Sequence, residues 1–243
     1  MSCEKVKCHI FVKESTDDLA SDCASYILGA LSEALKSRER ATVAISGGST
    51  PKPLFARMAK ASFDWSRVHV FWVDERCVPP TDDQSNYKLA SEAWLAPARI
   101  PDTNVHRILG ELPPEEAAKR YVDELKRFFD LREGQQPVFD LIHRGIGADA
   151  HTASLFPGEP LIADRKGIAA AVWVEKMKSH RVTLLPGVLL AARQTVIEAV
   201  GQDKAGPVHS VLEGPIDLFQ FPCQIAARDH VAWFLDKAAA SKL

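Results

Sequence analysis

Asp149 and His151 stand two residues apart in the stretch GIGADAHTASLFPG (145–158), which follows the strand-like run VFDLI and opens on closely spaced glycines. Glycines permit a sharp turn, so both side chains can project from one bend toward one edge of the fold. An imidazole titrates near ~6.5, which suits it to take a proton from water at neutral pH. A nearby carboxylate fixes the tautomer and favours the imidazolium formed in the reaction. A lone histidine is more often a satisfied structural residue, and His9, His69 and His230 are read that way. The polar bend sets His151 apart. A metal centre fits less well, because Asp-x-His offers two donors and no second His, Cys or Glu pair at ligand spacing completes a set.

Three other groups of residues could serve an anion or a reacting centre. In SGGSTP (46–51), Gly47 and Gly48 let the backbone approach a ligand, and Ser49 and Thr50 add hydroxyls. Pro51 marks the start of a helix whose free N–H groups attract negative charge. The string matches neither G-x-x-x-x-G-K-[ST] nor G-x-G-x-x-G, so nucleoside triphosphates and dinucleotides are not indicated. It also fits an ordinary turn with a Ser/Thr cap. Lys204, in QDKAG, falls where a strand gives way to a helix, so its charge opposes the helix dipole. A solvated lysine is the usual explanation; an anion held between it and nearby amides would remove the conflict. Arg181, in SHRVTLLP, is a second cation entering an extended segment. Asp74, Glu75 and Arg76 directly follow FWV, and charges so placed need partners if buried. An acid–arginine pair that braces the loop and a catalytic role are both open, and they are compatible. Cys77 comes next, with no histidine at a recognisable spacing.

The elements that must position these residues alternate along the chain. CHIFV (8–12), ATVAIS (41–46), VHVFWVD (68–74), VFDLIHRGIG (138–147), GIAAAVWV (167–174), QTVIEAVG (194–201) and HVAWFLD (230–236) read as strands. Helical spacing fills residues 14–38 and 113–130, with further helices from Pro51, from about Ser85 and at the C-terminus. Such alternation predicts an α/β fold, a doubly wound and mainly parallel sheet with helices on both faces, in one domain over 1–243. Ligands of such sheets bind outside the carboxyl ends of the strands, where all four polar groups fall.

The chain has 243 residues, enough for a proper core, with 46% hydrophobic and 26% charged residues. Its net charge of −2 suggests no general attraction to nucleic acid or anionic membranes, so an anionic substrate would be held by a few local cations. Apolar runs fall short of a membrane span, and the first residues lack the apolar stretch of a secretory signal. The five cysteines form no C-x-x-C pair and are read as reduced thiols of a cytoplasmic protein.

Taken together, ISGGSTPKPLF, VDERCVPPTDDQSNYKLA, GIGADAHTASLFPG, RVTLLPGVLLAARQTVIEAVGQDKA and VAWFLDKAAA resemble, in order and over nearly the whole chain, the 6-phosphogluconolactonase family. That family sits within the wider glucosamine-6-phosphate isomerase/deaminase superfamily, and DER followed by SNY looks like the lactonase rather than the deaminase pattern. The resemblance implies a doubly wound α/β fold (NagB/RpiA-like) and hydrolysis of 6-phosphoglucono-1,5-lactone in the pentose phosphate pathway, without metal or cofactor. It implies that His151 activates water, with Asp149 beside it and Asp74 facing the site. Gly47, Gly48, Ser49, Thr50, Arg181 and Lys204 would hold the phosphate, and Arg76 would meet the oxyanion or the sugar hydroxyls. The partner is then a small-molecule lactone, with neither nucleic acid nor membrane, and the protein a monomer or weak homo-oligomer. Two other readings stay open: a sugar-phosphate isomerase or deaminase, against which Arg76 argues, and a non-catalytic sugar-phosphate sensor. The chain departs from the family at Ala150, where glycine is usual, at His143-Arg144, where apolar residues are usual, and at Gly206-Pro207. If the backbone at Ala150 needs a positive φ, alanine costs of order 1 kcal/mol there.

Overall fold

Strands β1 (Cys8–Lys13), β2 (Ala41–Ile45), β3 (Val68–Trp72), β5 (Val105–His106), β6 (Leu141–Gly145), β9 (Thr195–Ala199) and β10 (Val231–Asp236) form one sheet in the order β1-β10-β9-β6-β2-β3-β5. Each neighbouring pair runs parallel. This computed structural model describes residues 8–243. From β2 the chain winds one way to β3 and β5, and from β6 it winds the other way to β9 and β10. The switch therefore falls between β2 and β6, where a crevice opens at the carboxyl ends of both strands. The turns after these two strands are 46–51 and 146–151, the two glycine-bearing segments singled out above.

Both faces of the sheet are covered, and the period-2 alternation of the strands shows how. On β9, Val196 joins the buried cluster that contains Leu19, Cys23 and Ile27 of helix α1 (Thr16–Ser37). Ile197 and Ala199 point the other way, into a second cluster with Val208 and Val211 of α6 (Ala205–Leu212). Helix α1 starts where the sequence says it should: Ser15 Oγ accepts from Asp18 N at 3.1 Å, and Asp17 and Asp18 lie in the positive first turn. Helices α2 (Lys52–Ala59), α3 (Asn86–Ala90), α4 (Pro114–Phe129) and α5 (Pro186–Ala191) complete the α elements.

A second, antiparallel sheet corrects part of the strand reading. The run 68–74 is not one strand. Val73 N still bonds Ile45 O at 2.9 Å, but Val73 O accepts from Leu184 N at 2.8 Å, so the chain changes sheets there. It continues as β4 (Asp74–Arg76), which pairs with β8 (Ser179–Leu184), which in turn pairs with β7 (Ala169–Val174). The segment 167–174 thus belongs to this smaller sheet, and Arg181 sits on one of its strands. The C-terminal residues also differ from expectation, forming turns rather than a helix. Asp236 accepts from Ala239 N at 2.7 Å and from Gly201 N at 3.1 Å, tying the chain end to the loop before Lys204. So short a segment gains too few hydrogen bonds to repay helix nucleation.

Of the histidines read as structural, His9 and His230 are exposed. His69 is paired: its Nδ1 lies 2.9 Å from His106 Nε2, and His106 Nδ1 lies 2.7 Å from Glu124 Oε1. Burial, then neighbouring positive groups, push both imidazoles down to about 4. Unfolded histidine takes a proton near ~6.5, so below that pH the unfolded chain binds more protons and stability falls until about pH 4. Thermal melts should therefore drop in midpoint across this window, with a shallower slope in His69→Gln. An equal slope in both proteins would assign the effect to other groups.

Candidate active site

The 46–51 turn owes its shape to close packing. A side chain at Gly47 would land on the Asn86 carboxamide, and Gly48 has φ +97°, a conformation that glycine adopts freely. Asn86 opens α3 and donates from Nδ2 to Asp74 O at 2.8 Å, joining the turn after β2 to β4. Helix α2 begins just after Pro51, so the positive end of its dipole lies beside the same crevice.

The charges after FWV divide their work. Glu75 is 2% exposed and does not face the cleft. It accepts from Asn86 N and Tyr87 N, both at 2.8 Å, and from Ser85 Oγ at 3.1 Å, holding the start of α3. Burial pushes its carboxyl up, while these backbone donors pull it down. Asp74, equally enclosed, accepts from Ser154 Oγ at 2.5 Å and has Arg181 Nη1 at 3.8 Å. The Arg76 guanidinium pairs with neither acid and donates to Gln84 O, while the Arg76 backbone N–H donates to Glu75 at 2.8 Å. Its cross-strand partner is Arg181. Like charges placed opposite each other on a sheet repel, so this register favours an anion between or beside them. Burial lowers the Arg181 pKa, with Asp74 opposing and Arg76 adding to the shift.

Beyond β6, the 146–155 loop carries the dyad. His151 Nδ1 lies 2.5 Å from Asp149 Oδ1, and the imidazole stacks on Phe156 with centroids 4.1 Å apart. The hydrogen bond from the ring, against some burial, holds the Asp149 carboxyl well below the usual carboxylate range. Lys176 Nζ reaches the other Asp149 oxygen at 3.2 Å. With the Nδ1 proton given to an ionised aspartate, Nε2 keeps its lone pair, the form a general base needs. Gly147 makes room for this pair, since any side chain there would strike both His151 and Asp149.

Arg144 and Ala150 support this loop from within. Arg144 is fully buried and donates to Thr152 Oγ1 at 2.9 Å, to Ala226 O at 2.9 Å and to Ile225 O. It therefore braces the loop and makes no contact with the cleft. Ala150 does have a positive φ, +61°, as does Ala153, +53°. The left-handed backbone costs alanine about 1–2 kcal/mol. Glycine would relieve that, but would lose about 0.4–1 kcal/mol to unfolded-state entropy and about 0.8 kcal/mol of methyl burial. The Ala150 methyl is 1% exposed, packed in the cluster with Ile146, Val208 and Cys223. Ala150→Gly should thus shift stability by less than about 1 kcal/mol and turnover by only a few-fold. A large gain in rate on steady-state assay would show instead that the loop is held out of shape.

These elements enclose a cleft of ≈ 220 Å³. Gly47, Gly48, Ser49 and Thr50 line one side; Asp74, Arg76 and Arg181 come from the small sheet; His151 and Lys204 come from the loops after β6 and β9. Asp149 stands behind His151 rather than on the wall. Lys204 immediately precedes α6, with its Nζ 2.9 Å from Asp203. Sequence reasoning passed over Asn86, Ser154, Lys176 and Glu198. Asn86 was visible in SNY, and Glu198 as an acid inside the apolar run TVIEAV; Ser154 and Lys176 carry no such signal. Cys77 lies off the cleft, and burial, then Glu115 and Glu75, push its thiol up to about 11, far from a thiolate. Cys8, Cys23, Cys77 and Cys223 are free thiols, and Cys3 lies outside the described residues. Among the described residues no group of His, Cys, Asp and Glu side chains is arranged to hold a metal ion, and no helix is long and apolar enough to cross a membrane.

Comparison with known proteins agrees with this architecture. The family described as "Glucosamine-6-phosphate isomerases/6-phosphogluconolactonase" matches residues 14–234. The chain is 35% identical to a 6-phosphogluconolactonase of Synechocystis over 88% of its own length and 89% of the other. It is 36% identical to a chloroplastic 6-phosphogluconolactonase of Arabidopsis thaliana over 99% of its length and 76% of that protein. The solved 6-phosphogluconolactonase of Trypanosoma brucei superposes with a TM-score of 0.88 at 26% identity, covering 98% of this chain and 100% of that one. A monomeric glucosamine-6-phosphate deaminase, at 16% identity and a TM-score of 0.83, shares the fold. The chain belongs to the glucosamine-6-phosphate isomerase/6-phosphogluconolactonase family.

Proposed function

We propose that this protein hydrolyses the ring ester of 6-phosphoglucono-1,5-lactone, giving 6-phosphogluconate. The observation that carries this reading is the meeting of an Asp149–His151 pair with Arg76, Arg181 and Lys204 in one cleft. The phosphate lies against the 47–50 turn, between Arg181 and Lys204. The lactone carbonyl then faces His151, whose Nε2 takes a proton from water as the oxygen attacks. Asp149 stabilises the imidazolium that results. Arg76 donates to the tetrahedral oxyanion or to the ring hydroxyls, and Asp74 keeps Arg181 in place. The imidazolium returns its proton to the departing ring oxygen. An activated cyclic ester needs no serine nucleophile, and no G-x-S-x-G elbow occurs in the chain.

In this reading the protein works as a single domain in the cytoplasm, as a monomer or weak homo-oligomer, without a nucleic-acid or membrane partner. The net charge of −2 and the free thiols support that picture. The test is to supply freshly made lactone and follow acid release against the spontaneous rate. Saturable acceleration is expected, with no action on glucosamine 6-phosphate. Binding without acceleration would indicate a sensor, and ammonia release from the amino sugar would indicate a deaminase.

A further inference from the structure

We propose that His143 and Glu198 form a polar subsite in the cleft floor that binds one hydroxyl of the sugar-phosphate substrate and so selects which sugar is accepted. This rests on the lactonase reading above. His143 lies in the middle of β6 and Glu198 one residue before the end of β9, two neighbouring strands of the large sheet. They are 1% and 3% exposed, yet both line the cleft, with His143 Nε2 3.2 Å from Glu198 Oε2. The strand residues before them are apolar, with Ile142 ahead of His143 and Val196 and Ile197 ahead of Glu198, while Arg144, next after His143, bonds on the other face to Thr152 and the 225–226 carbonyls.

Stability does not explain the pair. Apolar residues of similar volume in place of a buried ion pair are often neutral or stabilising. Nor does the fold use up its hydrogen-bonding capacity. An ionised Glu198 fixes the proton on His143 Nε2, and His143 Nδ1 has no hydrogen-bond partner among the described residues. The Glu198 carboxylate, which can accept several hydrogen bonds, accepts only that from His143 among the described residues. Buried polar groups left in this state are costly, so they belong with a ligand that completes them.

The chemistry of that ligand follows from the charges. A carboxylate repels phosphate, so this floor does not serve the anionic end, which has Arg181 and Lys204. A hydroxyl fits: it donates to the Glu198 carboxylate, which His143 Nε2 holds in place from the other side. The cleft would then read the substrate at separate points: phosphate at the cations, carbonyl at His151, one ring hydroxyl at the floor.

The experiment compares wild type with the double variant His143→Leu/Glu198→Leu on 6-phosphoglucono-1,5-lactone and on its 2-, 3- and 4-deoxy analogues. Wild type should lose about 10- to 100-fold in kcat/KM on one deoxy lactone. The double variant should treat that analogue and the parent alike, within about three-fold, while melting as a folded protein. Wild-type discrimination retained by the variant, or no discrimination in wild type, would overturn the proposal. A second measurement needs no variant and no turnover: adding 6-phosphogluconate should move the His143 ring 15N resonances, and the matching deoxy acid should not. Equal shifts, or none, would likewise overturn it. Failure of wild type to hydrolyse the parent lactone is a separate result, which removes the lactonase reading itself.

Discussion

Replacing His151 with Asn should lower kcat for the lactone by about 10²- to 10⁴-fold, the usual contribution of a positioned general base. Affinity for 6-phosphogluconate should stay within a few-fold of wild type. The reason for choosing Asn lies in the geometry. Its amide can still donate to Asp149, which His151 Nδ1 meets at 2.5 Å, so the loop keeps its anchor while the Nε2 lone pair is lost. His151 is only partly buried, so little core packing goes with it. Steady-state kinetics and calorimetry on the same preparation separate the two effects. Loss of affinity equal to the loss of turnover would make His151 a structural residue of the loop.

Lys204→Ala should raise the Kd for 6-phosphogluconate by roughly 10- to 100-fold, as expected when one charge-assisted contact is removed. Its effect on kcat should be much smaller. Stability should move the other way. Lys204 immediately precedes α6, where a positive charge opposes the helix dipole, and it leans on Asp203 at 2.9 Å. Removing it should leave the melting temperature unchanged or raise it slightly, since the dipole term is a few tenths to about 1 kcal/mol. A residue whose loss weakens binding without weakening the fold is held there for the ligand. Unchanged affinity would show that Lys204 is an ordinary surface cation.

Much of this architecture was legible in the chain itself. The runs at 41–46 and 194–201 read as strands, and their parallel arrangement puts SGGSTP, ADAHTAS and QDKAG at one rim. The order of the strands, with the switch between β2 and β6, was not legible, because buried parallel strands look alike in composition. The change of sheet at Val73 was hidden for a related reason. VHVFWVD reads as one strand, and only the pairing of Val73 with both Ile45 and Leu184 reveals the corner. Adjacent His143 and Arg144 looked like one bulky polar step near the site. Strand alternation sends them to opposite faces: His143 toward Phe55 and the cleft floor, Arg144 toward Cys223 and the 225–226 carbonyls. Glu75, grouped in the sequence with Asp74 and Arg76, turns away to hold the start of α3. Which of three consecutive charges faces a ligand depends on register against β8, and register is a tertiary property.

All of this depends on a substrate lying in the cleft with its phosphate at one end and its reacting carbon at the other. A crystal structure with 6-phosphogluconate measures that directly. The expected result places the phosphate against Gly47–Thr50, Arg181 and Lys204, with the C1 carboxylate about 2.6–3.2 Å from His151 Nε2 or one water away. A phosphate seated against His151, or a ligand bound outside the cleft, would contradict it.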